Sequence, residues 1–361
     1  MKNLFLGVGL APYRIDLYNY LYESFNCDIY FQNRNLVSQK FNVHDLRKDA
    51  IFPERYLKTK KIGGRKMVTN MKRMIMEFQP KIVFTPEFSF ITIQALILRK
   101  LLHADFKVVS ICDDSMDMIC GNDFSIFHKI ARKVIVPMLD NLILANDDTC
   151  FWYKKNYIKG VFFPIISDEK KMRVKYEQLL LLSQRIYEKE NLANKKVILF
   201  VGRLVGLKNV KTLIDAYLNI KEEATLIIIG DGEEKKSLQK QSAESKSIIF
   251  KGRLEGDELY AWYNIADICV LPSTQEAFGA VTNEALIAGC RCLVSEKAGS
   301  KCLIDGNNGE IFNPYDMEAL SRMLDVNLKK ITKSDKLDLK PNLMTMGFEE
   351  MLLIAISKLG I

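Results

Sequence analysis

Histidine is scarce in this chain: 361 residues carry three, His44, His103 and His128, too scattered to suggest a metal cluster. The eight cysteines, Cys27, Cys112, Cys120, Cys150, Cys269, Cys290, Cys292 and Cys302, include no Cys-x-x-Cys pair. Cys290 and Cys292 flank Arg291 at a strand entrance, which is poor zinc geometry, and several others sit in apolar strand-like runs. Reduced structural cysteines of a cytosolic protein are the simpler reading. No Asp-x-Asp metal-holding constellation stands on a convincing loop; Asp113-Asp114 is only an acidic pair. No run of about 20 apolar residues occurs, which argues against a transmembrane span. The first strand-like run, Lys2 to Leu10, is too short and begins too directly for a secretory signal. Gly7 and Gly9 close that run without a complete Gly-x-Gly-x-x-Gly, so a dinucleotide fingerprint is weak, and close backbone approach to a ligand suits them better.

Acids are missing from one stretch. Between Arg55 and Arg73 there are eight basic residues and no acid: Arg55, Lys58, Lys60, Lys61, Arg65, Lys66, Lys72 and Arg73. The whole net charge of +8 lies in the first half, because residues 166–361 balance 28 basic with 28 acidic residues. Such a run would attract anionic headgroups, a phosphorylated carrier or nucleic acid, and it also suits a solvated loop. No nucleic-acid motif accompanies it, so no nucleic-acid partner is expected. The next segment, Met67 to Phe78, carries apolar residues at helical spacing. It reads as part of a helix over 65–79, lying on a membrane or packed against a sheet.

An apolar content of 48% in 361 residues suffices for two cored domains. Short apolar runs alternate with longer amphipathic ones, the pattern of crossover helices on a mostly parallel sheet. Strands are expected at 3–9, 27–31, 81–85, 107–112, 141–145 and 160–163, with helices at 14–25, 65–79, 89–101 and 123–139. A charged helical connection over 168–191 leads to a second series, with strands at 196–201, 225–229, 247–250, 268–271, 292–295 and 310–312. Three regions follow: 1–165, 166–345 with the connecting segment, and a terminal helix over 346–361 returning to the first. No internal repeat is convincing beyond these two α/β halves.

Two motifs in the second half carry chemistry. Val201-Gly-Arg203-Leu-Val-Gly-Leu-Lys208-Asn209 follows a strand, and its glycines, Arg203 and Lys208 can hold a diphosphate. Glu276 and Glu284, in Ser273-Thr-Gln-Glu-Ala-Phe-Gly-Ala-Val-Thr-Asn-Glu284, follow the strand 268–271. Backbone N–H groups at such a strand–loop–helix junction receive an anion, while carboxylates accept sugar hydroxyls. Two acids eight residues apart also share one face of any surface helix, so the spacing alone leaves both readings open.

Together these segments resemble the retaining GT-B glycosyltransferases of family 4, the glycosyl transferases group 1. The matching pieces are Phe200-Val-Gly-Arg203-Leu with Lys208-Asn209, Ile229-Gly-Asp-Gly232, Ala266-Asp-Ile-Cys-Val-Leu-Pro-Ser273, Glu276-Ala-Phe-Gly279 through Glu284-Ala285, and Asp305-Gly-Asn-Asn-Gly309. The resemblance implies an α/β chain of GT-B fold, two Rossmann-like α/β/α domains facing across a cleft. It implies transfer of a sugar from a nucleoside diphosphate sugar, UDP- or GDP-linked, to a hydroxyl acceptor, with retained configuration and no required metal. Arg203 and Lys208 would grip the diphosphate, Glu276 would approach the sugar and Glu284 would bind ribose hydroxyls. Backbone at Ala280, Val281 and Thr282 would lie near phosphate, and Gly9, Gly202, Arg253 and Leu254 would also border the donor. Where many relatives carry a histidine, this chain has Ser110-Ile-Cys-Asp113-Asp114, and Asp113 is the candidate to take over its positioning role. The expected acceptor is a saccharide or a lipid-linked saccharide of surface polysaccharide synthesis, handled in the cytoplasm, with peripheral contact at the inner face of an anionic membrane for the lipid-linked case. The competing readings are a nucleotide-sugar epimerase or hydrolase, and a non-catalytic nucleotide-sugar binding scaffold.

Overall fold

The computed structural model describes residues 2–34, 43–121 and 126–360. The chain divides into two compact units, Met1–Ser167 with Met351–Ile361, and Asp168–Glu350.

In the first unit the chain runs through β1 (Asn3–Gly7), α1 (Ile15–Ser24), β2 (Cys27–Phe31), α2 (Val43–Lys48), β3 (Thr59–Ile62), β4 (Arg65–Val68), α3 (Met71–Phe78), β5 (Ile82–Pro86) and α4 (Phe90–Leu101). It continues through β6 (Lys107–Cys112), α5 (Met116–Cys120), α6 (Ile126–Met138), β7 (Asn141–Leu144), α7 (Asp147–Tyr157) and β8 (Val161–Phe162). Six strands form one parallel sheet in the order β2-β1-β5-β6-β7-β8. Leu4, Leu6, Val83, Val108 and Leu142 are fully buried, as strands covered on both faces must be. The order reverses beside β1, with β2 on one flank and β5 on the other. In open α/β sheets such a reversal opens a crevice at the carboxyl ends of the strands.

The helix expected over 65–79 is divided. Residues 65–68 are β4, paired antiparallel with β3 so that Ile62 faces Arg65 across Gly63-Gly64. Both glycines have positive φ, +56° and +78°, as a two-residue type I′ turn demands, and that turn overrides the helical spacing upstream of Asn70. Only α3 keeps the helical pattern, and Met71, Met74 and Ile75 bury its stripe in the core of the unit. The stripe therefore packs against the protein and does not face a membrane. The run over 3–9 is a strand only to Gly7; the Val8 carbonyl then accepts the Asn33 N–H at 2.9 Å. The beginning of the helix expected over 123–139 and the side chain of Arg65 lie outside the described residues.

The second unit opens with α8 (Glu169–Gln178) and α9 (Leu180–Lys189), followed by β9 (Lys196–Val201), α10 (Val210–Leu218), β10 (Ala224–Ile229), α11 (Lys235–Gln241), β11 (Ile248–Gly252) and α12 (Gly256–Ile265). Then come β12 (Ile268–Leu271), α13 (Val281–Ile287), β13 (Arg291–Ser295), β14 (Gly309–Phe312) and α14 (Met317–Lys329), and α15 (Phe348–Leu359) begins here. The sheet order is β11-β10-β9-β12-β13-β14, all parallel. This is the doubly wound order of mononucleotide-binding halves, reversing between β9 and β12. Val197 to Phe200 and Leu226 to Ile228 are completely buried, and Leu320, Leu324 and Leu328 of α14 pack onto the same core.

Candidate functional site

The two second-half motifs extend from the neighbouring strands β9 and β12, at the reversal of the sheet. Leaving β9, the Gly202 N–H donates to Ile229 O at 3.0 Å and the Leu204 N–H to Asp231 O at 2.9 Å. The loop is thereby laid against Gly230-Asp231-Gly232. Gly230 has φ +150°, and a Cβ there would lie 1.8 Å from the Gly202 carbonyl oxygen. Only glycine permits this contact between backbones. A short 3-10 turn, Gly206–Lys208, then presents Lys208, and Asn209 follows at φ +53°. The Asn209 amide donates to Pro314 O at 2.9 Å and Pro272 O at 3.2 Å, and its Oδ1 accepts from Thr212 at 2.7 Å. One side chain thus ties the Lys208 turn to the ends of β12 and β14.

Lys208 and Glu276 form an ion pair, both side chains largely withdrawn from solvent. The Thr274 N–H donates to Leu207 O at 2.9 Å, joining the two loops by backbone as well. Glu276 is also held from its other side, with its carbonyl accepting the Gly299 N–H at 3.2 Å. Arg203 is exposed on the same loop. Ser273, which heads the Glu276 loop, has a fully buried hydroxyl without a hydrogen-bond partner among the described residues.

Glu284 projects from α13, whose first turn contains Val281 and Thr282; Ala280 is its N-cap. The Tyr263 hydroxyl donates to Glu284 Oε2 at 2.8 Å, and the Tyr176 hydroxyl donates to the Glu284 carbonyl at 2.9 Å. Burial pushes the Glu284 carboxyl up to about 7, against the opposing pull of the Tyr263 hydrogen bond and the Lys175 charge. Thr282 Oγ1 and Ser300 Oγ, 2.9 Å apart, lock the start of the helix. Arg253 is exposed and bonded to Glu255, with Nε 2.7 Å from Oε1, and Leu254 is half-buried beside it. Sequence reading passed over Tyr176 and Tyr263, because nothing in their spacing marks a tyrosine as the support of a distant carboxylate.

In the first unit, Gly9 is buried in the loop after β1, and Arg14 follows it. The buried Arg14 guanidinium forms an ion pair with Asp113, which keeps 31% of its side chain exposed. Asp114 points the other way and is buried. It accepts from Tyr153 at 2.6 Å and from Arg132 at 3.0 Å, with His128 Nε2 3.6 Å away. Burial alone would raise Asp114, but hydrogen bonds from His128 and Tyr153 and the Arg132 charge together hold it below the usual value. Glu87, at φ +44° after β5, is exposed as a residue. Its carboxyl is nonetheless raised, first by desolvation and then by the charges of Asp113 and Asp114. Asp113 thus lies in a charged cluster that the sequence signalled only by its adjacency to Asp114 and its place where many relatives carry a histidine. Among the described residues no group of three or more His, Cys, Asp or Glu side chains could hold a metal ion.

Two doubly wound parallel sheets in series define a GT-B fold, and the solved structures agree. The Anabaena HepE protein in complex with UDP aligns over 99% of this chain and 98% of its own, with TM-score 0.76 and 15% identity. Residues 183–338 match the family described as glycosyl transferases group 1. A sulfoquinovosyl transferase of Arabidopsis thaliana is 33% identical over 128 residues, 34% of this chain; the match spans 25% of that protein's length. An uncharacterized glycosyltransferase of Methanocaldococcus jannaschii is 24% identical over 337 residues, covering 87% of this chain and 84% of its own.

Proposed function

We propose that this protein transfers a sugar from a nucleoside diphosphate sugar to a hydroxyl acceptor, retaining the anomeric configuration. The observation that carries the reading is the meeting of Lys208 and Glu276 at the strand-order reversal of the second unit, where ligands of open α/β sheets bind. Lys208 and Arg203 face the diphosphate and stabilise the charge that develops on it as the bond to the sugar's anomeric carbon breaks. Glu276, fixed by Lys208 and by the Gly299 N–H, accepts hydroxyls of the donor sugar and orients it. The acceptor oxygen bonds to the anomeric carbon from the face the diphosphate leaves, and its proton passes to a departing phosphate oxygen. Glu284, supported by Tyr263, accepts the ribose hydroxyls, and backbone N–H groups around Ala280, Val281 and Thr282 lie beside phosphate. The Anabaena HepE protein was solved in complex with UDP, which supports a uridine donor for this chain.

A scaffold without activity would bind the same donor, so the test reads both steps. Purified protein is titrated with UDP-, GDP-, ADP- and dTDP-sugars, and the bound donor is followed for released nucleoside diphosphate with a panel of acceptors. Binding of one donor class with acceptor-dependent release supports transfer. Release without acceptor favours a hydrolase, and binding without release under any acceptor favours a scaffold.

The first unit suits contact with an anionic membrane through the β3–β4 hairpin. Lys58, Lys60 and Lys61 are exposed there, and Ile62 at the tip is 58% exposed. Clustered lysines around an apolar tip favour anionic headgroups, consistent with a lipid-linked acceptor at the inner face of a cytoplasmic membrane.

A further inference from the structure

The first unit has its own strand-order reversal, between β2-β1 and β5, and a cavity of about 390 Å³ opens there. It lies at the carboxyl ends of these strands, and its volume falls within the range of about 300–1,000 Å³ usual for small-molecule sites. One wall is apolar, formed by Phe90 and the buried Ile91 from the first turn of α4. Three linked side chains, Gln32, Asn33 and Lys66, also line the cavity and supply its few polar groups. The Asn33 amide donates to Val8 O at 3.0 Å, and its oxygen accepts from Lys66 Nζ. The Gln32 amide donates to Lys66 O at 3.3 Å. Lys66 is therefore positioned by neutral amides, and among the described residues no carboxylate forms an ion pair with it. An ammonium has three donors, and only one is used by Asn33. Ser89 caps α4 at the rim, accepting from the Thr92 N–H at 3.4 Å, so the positive end of a 12-residue helix faces the same space.

We propose that this cavity binds a negatively charged sugar unit of the acceptor, a uronate or a sugar phosphate. Lys66 meets the anionic group, Gln32 and Asn33 meet hydroxyls, and Phe90 with Ile91 covers the apolar face of the ring. The assignment deepens the transferase reading and rests on it for the word acceptor. The hairpin then has a second purpose, since β4 delivers Lys66 to the cavity while its exposed lysines stay outside. A neutral cavity of this shape would select sugars by hydroxyl pattern alone; a single cation makes charge the first criterion.

The test uses the full chain saturated with UDP, with glucuronic acid, glucose 6-phosphate and glucose as probes in ligand-observed NMR. Both anionic sugars are expected to bind at least about tenfold more tightly than glucose, the scale of one charge-assisted contact. Lys66→Gln should bring them to the level of glucose, Lys66→Arg should restore much of the difference, and UDP affinity should stay unchanged in both variants. Equal binding of glucose, or anionic binding unaffected by Lys66→Gln, overturns the proposal. So does anionic binding that appears only without UDP, since it then reports the diphosphate site. Lys66-dependent binding of anionic sugars in a protein that binds no nucleoside diphosphate sugar keeps the cavity and sinks the transferase reading.

Discussion

At the scale of single residues, the second unit brings its two most specific charges, Lys208 and Glu276, into one pair before any ligand arrives. Lys208→Ala is expected to lower kcat/KM for transfer by about 100-fold or more, since it removes a contact that strengthens as the leaving group gains charge. Unchanged turnover would remove Lys208 from the diphosphate site. Glu284 carries a pH signature. With its carboxyl raised to about 7, the wild-type protein should gain UDP affinity relative to Glu284→Gln as pH rises through that value, because only the carboxylate accepts both ribose hydroxyls fully. Calorimetric titrations from pH 6 to 8, written as the ratio of the two proteins, cancel the titration of UDP itself (about one decade on either side of the carboxyl). Asp114 is shifted the other way. Its folded value is depressed, so its stabilisation is present above about 3.8 and is lost as pH falls through the folded value. Asp114→Asn leaves the buried Arg132 guanidinium unpaired and should cost about 3 kcal/mol near neutral pH, read by denaturant unfolding. The acidity of Asp113 and Asp114 was visible in sequence, but not their division of labour. One pairs with Arg14 and the other with Arg132, and both partners are remote in the chain.

At the scale of elements, hydrophobic pattern located most strands to within a residue or two, because a strand buried on both faces leaves a short continuous apolar run. β2, β6, β9 and β12 carry that signal plainly. It failed at residues 65–68, where Gly63 and Gly64 set a turn that spacing alone does not reveal. The hairpin so formed gives a direct measurement. Replacing Lys58, Lys60 and Lys61 by glutamine should abolish sedimentation with phosphatidylglycerol vesicles while leaving UDP affinity untouched; persistence of vesicle binding would discard the membrane assignment. The junction of β9 and β10 is tested by Gly230→Ala. The added carbon meets a backbone oxygen that has no room to withdraw, so the variant should lose about 3 kcal/mol of stability. Its UDP binding should weaken as well, since the displaced carbonyl belongs to the loop carrying Arg203. Here the loop from Val201 to Asn209 was legible in sequence as a diphosphate holder, whereas its backbone support by Gly230-Asp231-Gly232 was not.

For the molecule as a whole, alternation of strands and helices sufficed to predict two α/β halves, and strand order was the part that spacing could not supply. Pairing of β1 with β5 and of β9 with β12 depends on crossover packing, not on any local pattern. Hydrogen exchange offers a global check on the donor site. UDP at 100 times its Kd should stabilise the binding state by about 2.7 kcal/mol and slow exchange in residues 202–209 and 273–284. Slowing confined to the first unit would place the nucleotide elsewhere. The two reversals of strand order also bear on how the chain acquires its shape. Leu4 pairs with Val83, and Ile198 pairs with Ile268, the widest sequence separations in their respective sheets. Each unit must therefore close its longest loop to complete the crevice beside which its ligand would sit, and long loop closure is the slow part of such folding. During synthesis β1 can complete its pairing only once β5 has been made, and β9 only once β12 has been made. Recovery from denaturant should accordingly regain nucleotide binding later than helical circular dichroism, with the lag set by topology and not by the chemistry of the pocket.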